Sequence, residues 1–77
     1  MEIYILTELN ILASGEVELF PQAFDTYEKA KTEMEQQVKE RMDECAAEIQ
    51  WQYEHGIQLI DEYQNVYQFE IVCSTVK

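Results

Sequence analysis

The sequence is poor in residues that break, bridge or chelate. Two glycines and one proline in seventy-seven residues leave few obligatory turns. Gly15 and Gly56 stand far apart, so no glycine-rich phosphate loop exists. Two cysteines, Cys45 and Cys73, and one histidine, His55, form no CxxC, HxxxH or mixed cluster, and a standard zinc site lacks its ligands. Five basic residues face sixteen acids, for a formal net charge of −11. That imbalance excludes the basic footprint of direct nucleic-acid binding and repels anionic membranes. No run approaches the ~20 apolar residues of a membrane helix. The opening Met1-Glu2-Ile3-Tyr4 has no basic or unbroken apolar leader pattern, so the expected location is the cytoplasm.

What is present is enough for one domain, residues 1–77. Hydrophobic residues make up 47% of the chain, too many for a disordered acidic tail. A chain this short buries only ~60% of its unfolded surface, so help from self-association or a partner is expected. Both cysteines are expected as reduced thiols on apolar faces, where a free thiol behaves as a small hydrophobe.

The elements follow from periodicity. In residues 2–12 the odd positions Ile3, Ile5, Thr7, Leu9 and Ile11 form a mostly apolar row, the mark of a half-buried strand with that row inward. Ala13-Ser14-Gly15 supplies a turn. Glu16–Phe20 resumes as a strand with Val17 and Leu19 inward, and Pro21 ends it. Asp25 and Glu28 have the spacing of a capping box. The helix they open reads on to His55, with Gly56 as its stop. Tyr27, Ala30, Met34, Val38, Met42, Cys45, Ile49 and Tyr53 recur every three or four residues as one apolar stripe. Residues 57–62 alternate weakly, Gln64-Asn65 is a turn, and Tyr67, Phe69, Ile71, Cys73 and Thr75 alternate clearly.

The fold class is therefore α+β in the order β-β-α-β-β: a four-stranded antiparallel sheet with one long helix packed on one face. Two features strain that plan. A helix of about 28 residues is ~40 Å long, whereas a strand of six or seven residues covers ~20 Å. Either the helix overhangs the sheet or it breaks near Ala46-Ala47. The outward row, expected to hold Tyr4, Leu6, Ile60, Val66, Val72 and Val76 among Glu2, Glu8, Gln68 and Glu70, is also too apolar for a wetted face. Such a patch marks an interface, and self-association into a homodimer is one use of it.

Catalytic constellations are sparse. Cys73 and His55 are the one nucleophile–base pair worth naming, and they read as a packed thiol and a helix-capping histidine. Asp61-Glu62 are adjacent carboxylates on opposite sides of a surface segment, without a concave site to perturb them. The chain is expected to be no enzyme and to hold no cofactor or metal.

Charge distribution is more informative. Lys29, Lys31, Lys39 and Arg41 fall within thirteen residues, and the fifth base is Lys77. The first half of the helix balances its charge through Lys31–Glu35, Glu35–Lys39 and Lys39–Asp43 pairs. The second half does not: Glu40, Glu44 and Glu48 succeed one another at i, i+4, with Asp43 beside them and Glu33 a turn or two earlier. Like charges at that spacing cost a few tenths of a kcal/mol each. A solvated face kept soluble by charge is the plain reading. A surface that imitates nucleic acid, or complements a basic groove, is the functional one. Trp51, Tyr53, Tyr63 and Tyr67 gather nearby, and such aromatics often anchor interfaces or fill cores. The candidate partner-binding residues are Glu40, Asp43, Glu44, Glu48, Trp51, Glu54, Asp61 and Glu62, facing a basic protein surface.

In size, acidity, scarcity of proline and glycine, and hairpin–helix–hairpin plan, the chain resembles small acidic inhibitor proteins of phages and mobile elements, of the anti-CRISPR and anti-restriction type. The likeness covers the whole chain at the level of class and rests on no diagnostic motif. It implies an inhibitor that occupies the nucleic-acid-binding site of a bacterial defence complex, acting in the host cytoplasm. It assigns no residue roles.

Overall fold

The computed structural model describes residues 1–75; Val76, assigned to the outward row, and Lys77 lie outside the described residues. Five strands and one helix follow in the order β1 (Glu2–Ile11), β2 (Val17–Phe24), α1 (Tyr27–Cys45), β3 (Glu48–Tyr53), β4 (Gly56–Ile60) and β5 (Val66–Thr75). The strands form one antiparallel sheet in the order β2-β1-β5-β4-β3. The α+β class and the single helix match the expectation from sequence; a fifth strand is added to it.

That strand comes from the C-terminal third of the expected helix. Helix α1 stops at Cys45, and Ala46 takes the left-handed conformation at φ 54°, ψ 36°. Ala47 is buried, and Glu48–Tyr53 continues as an edge strand. The break near Ala46-Ala47 thus resolves the length conflict. Strands β2 and β3 are the two edges, so α1 must cross the whole sheet between them. Nineteen residues give ~28 Å, ample for the ~19 Å from the first strand to the fifth. Met42 and Ile49 leave the expected stripe and are exposed, while Tyr27, Ala30, Met34, Val38 and Cys45 pack inward.

Local chemistry corrects three further expectations. Thr26, not Asp25, is the N-cap, accepting a hydrogen bond from the Lys29 amide at 3.2 Å. Asp25 instead pairs with Lys29 Nζ at 2.9 Å, which lowers its pKa. Pro21 does not end β2: it lies opposite Thr7 on an edge strand, where a missing N–H can face away from the ladder. Gly56 is not a helix stop but the first residue of β4, after the Glu54-His55 turn, and His55 therefore caps no helix. A Cβ on Gly56 would lie 2.8 Å from the Tyr53 ring, closer than real Cβ atoms come, and a tight 3.0 Å from the Phe69 carbonyl oxygen.

The largest correction is the face of β1. Pairing Leu6 with Ile71, Glu8 with Phe69 and Asn10 with Tyr67 turns the even row toward the helix. Leu6, Glu8 and Asn10 are buried, while the odd row expected inside faces away. The same inversion puts Val17 and Leu19 outside, 60% and 59% exposed. The core between sheet and helix is built on Leu6, Ala30, Met34, Ala47, Ile57, Leu59, Tyr67, Phe69 and Ile71. The molecule measures 42 × 22 × 18 Å, and its shortest dimension holds one sheet and one helix layer.

Candidate interaction surfaces

The helix side and the bare side of the sheet differ in chemistry, and each is a candidate contact surface. On the helix side, the bases are turned to structural use. Arg41 reaches beneath the helix to Glu8, with Nη2 2.7 Å from Oε2, and its guanidinium lies 5.1 Å from the centroid of the Tyr67 ring. Burial works against the Arg41 charge, but the Glu8 carboxylate outweighs it and raises the arginine pKa. Asn10 Nδ2 donates to the same Glu8 oxygen at 2.9 Å, while Asn10 Oδ1 is buried without a hydrogen-bond partner among the described residues. Lys31 Nζ donates to the Glu54 carbonyl at 2.6 Å rather than pairing with Glu35. The ion pairs among the described residues are Lys29–Asp25, Arg41–Glu8 and a long His55–Glu54 approach of 3.9 Å. The i, i+4 pairs expected along the first half of the helix do not close.

Glu40, Asp43 and Glu44 are exposed on the last turns of α1. Glu48 is not the next step of that ridge, since it opens β3 opposite Ile60. Trp51 is half-buried in β3 and stacks on Tyr53 with centroids 5.4 Å apart. Glu54 is exposed in the β3–β4 turn, where its carbonyl also accepts from the Tyr27 hydroxyl at 3.2 Å. Glu62 is exposed in the turn before β5, and it shares a shallow depression with Glu48, Ala46, Ile60, Asp61 and Gln64. The acidic residues therefore separate into the helix end, the corner where Glu48 meets the β4–β5 turn, and Glu54 alone at the opposite end of β3.

Asp61 plays a different part from its neighbours. It is 5% exposed, and its carboxylate accepts from the Tyr63 and Asn65 amides, the Asn65 side chain and the Tyr67 hydroxyl at 2.7–3.0 Å. Burial opposes ionisation, but these donors prevail and hold its pKa below the ordinary carboxylate value. Tyr67 is pushed the other way, well above the usual phenol range, first by burial and then by Asp61. Asp61 organises a turn, with its carboxylate directed into that turn's donors rather than to solvent. The same turn is tied to the first hairpin by Asn65 Oδ1, which accepts from the Ala13 amide at 2.8 Å.

The bare side of the sheet can be read from the register. Val17, Ile11, Val66 and Ile60 make one row across it; Leu19, Leu9, Gln68, Gln58 and Trp51 the next; Pro21, Thr7, Glu70, Gly56 and Tyr53 the third; Ala23, Ile5 and Val72 the fourth. Tyr4, Leu6, Glu2 and Glu8, expected here, belong to the helix-facing row, whereas Ile60, Val66, Val72, Gln68 and Glu70 stand where the alternation put them. Its carboxylates, Glu70 in the middle and Glu48 at a corner, are outnumbered by aliphatic side chains. Thr7, Leu9, Leu19, Gln68, Glu70 and Val72 surround a shallow depression of about 210 Å³ at its centre. Sequence reasoning saw an apolar outer face but missed Ile5, Leu9, Ile11, Val17 and Leu19 on it, because either row of β1 was apolar enough to be the core.

Cys73 lies in the helix-facing row as expected, opposite Tyr4, but is exposed rather than packed in the core, and Cys45 is half-buried; both are free thiols. Cys73 and His55 do line one small depression with Tyr4, Tyr27 and Ile71. Within it His55 Nδ1 lies 3.1 Å from the Tyr27 hydroxyl, and the rings meet edge to face. Among the described residues no group of three or more histidine, cysteine or acidic side chains is arranged to hold a metal ion. No described helix is long and apolar enough to cross a membrane. The chain matches no family model, no curated protein and no solved structure.

Proposed function

We propose that this chain is a non-enzymatic acidic binding protein, an inhibitor that docks on the basic, nucleic-acid-binding surface of a bacterial defence complex of the CRISPR or restriction type. One observation carries the reading: Glu40, Asp43 and Glu44 are exposed together on the end of α1, while Arg41 of the same turns is drawn beneath the helix to Glu8. The exposed charge balance of the helix end is consequently more negative than the sum over the helix sequence. Acidic patches of this kind accelerate encounter with basic proteins and choose among them, with an affinity that falls as salt rises. Glu48 and Glu62 extend the field around the β3/β4–β5 corner, and Glu54 adds a charge at the far end of β3, in the β3–β4 turn. Trp51 supplies an aromatic beside it.

A tagged chain, incubated with bacterial lysate at low and high salt, tests this reading. Recovery of a basic nucleic-acid-binding complex at low salt and its loss at high salt is the expected result. The charge-reversed variant Glu40→Lys/Asp43→Lys/Glu44→Lys should recover none of it while keeping the wild-type circular dichroism spectrum. Equal recovery by wild type and variant would refute the role of the helix end. The bare sheet face favours a second reading, a self-associating structural or regulatory module, and the two uses are compatible.

A further inference from the structure

We infer that the bare sheet face is covered in solution by the same face of a second copy of this chain. Charge is scarce on this face. Around Leu9 and Leu19 the face is aliphatic, with Val17 and Val72 60% and 48% exposed, in a protein of net charge −11. An anion would find no lysine or arginine there from any described strand, and a basic protein would find few acids, Glu70 and the corner Glu48 among aliphatic rows. A second copy offers the same aliphatic rows. Stacked face to face about a two-fold axis, two copies point their helices, and the acids on them, away from each other. The repulsion between two acidic protomers is thereby separated by two sheet layers, and the apolar rows leave water.

The area reaches the lower end of what a stable dimer needs. Strands of ten, eight, six, five and ten residues, each residue tiling ~3.3 × ~4.8 Å, make a face of roughly 600 Å² before its relief is counted. A standard stable interface takes about 800 Å² from each partner. The central depression beside Leu19 gives a partner's aliphatic side chain a seat. Glu70, at its rim, is the cost of such a pairing, because closing the face takes its carboxylate out of water.

This inference is independent of the helix-end reading, and different residues test it. Sedimentation velocity on the full chain, from low micromolar to about a hundred micromolar, should show a dimer. Leu19→Asp, on an edge strand where the side chain is already largely exposed, should weaken dimerisation at least about tenfold without loss of the circular dichroism spectrum. Leu9→Asp should do the same, and Leu19→Asp decides the matter if Leu9→Asp fails to fold. Glu70→Gln should tighten the dimer roughly threefold or more by removing the desolvated charge. A wild-type chain that stays monomeric throughout, or a dimer indifferent to Leu19→Asp and strengthened by nothing at Glu70, would overturn the inference; the latter outcome would point to pairing along the β2 or β3 edge instead.

Discussion

The bare face of the sheet carries more aliphatic side chains than the helix-facing one, where Tyr67 and Phe69 share the packing, yet only the helix-facing one is a core. In β1 the inward row is Tyr4, Leu6, Glu8 and Asn10; the outward row is Ile3, Ile5, Thr7, Leu9 and Ile11. By hydropathy the outward row is the better core. The inward row is selected by what it meets: Leu6 lies against Ile71, and Glu8 finds Arg41 from the helix above. A buried acid is tolerated where a base and an amide converge on it. The lesson is that alternation identifies a strand, whereas long-range polar pairing chooses its face.

Truncations across this divide should break the symmetry most sharply. Leu6 is 1% exposed, so Leu6→Ala should destabilise the fold by about 3 kcal/mol in urea denaturation. Leu19→Ala, on the bare face, should stay within about 0.5 kcal/mol in the monomer. Equal losses would mean that the bare face is already packed in the isolated chain.

Asp61→Asn comes next, at about 2.5 kcal/mol near neutral pH, because an amide cannot accept from all four donors that the carboxylate serves. The sign of the pH dependence follows from its lowered pKa. Its contribution is full above the unfolded carboxylate value near 4 and is lost as pH falls through the lower folded value. The gap between wild type and Asp61→Asn in denaturation midpoints should therefore shrink below about pH 4. A constant gap would show that the turn is held by shape rather than by charge.

Arg41→Met should cost about 2 kcal/mol, since Glu8 is left buried and the arginine is itself partly exposed. The double change Glu8→Leu/Arg41→Met should recover most of that loss. If it does, the pair serves to fix the face of β1 more than to stabilise it. Hydrogen exchange on β1 amides would then report whether the strand keeps its register.

Much of the architecture is visible in local pattern: two of the three hairpin turns, at Gly15 and Gln64-Asn65, the helix start within a residue, and the alternation of β1 and β5. The fifth strand is not, because Cys45, Ile49 and Tyr53 fit helical spacing as well as Ile49, Trp51 and Tyr53 fit strand spacing. Two signals favour the strand: β-branched and aromatic residues at every second position, and Glu54-His55-Gly56 between two such runs. The acidic ridge was legible only as far as the helix was, so Glu40, Asp43 and Glu44 keep their place and Glu48 does not. Asp61 looked like surface charge since nothing local announces that Tyr67, six residues on, folds back to donate to it.

The smallest effect concerns the residue that divides helix from strand. Ala46 holds φ 54°, where an L-residue's Cβ crowds the neighbouring carbonyl. Alanine is the best helix former, and local propensity here argues for continuing α1. What stops it is tertiary: Ala47 enters the core and Glu48–Tyr53 gains a ladder with β4. Ala46→Gly removes the crowding and weakens the competing helix, so it should stabilise the protein by about 1 kcal/mol. It should also leave the far face of the sheet unchanged. A fall in the denaturation midpoint would mean that the greater freedom of glycine in the unfolded chain outweighs the relief of strain, and that Ala46 contributes little to where the helix ends.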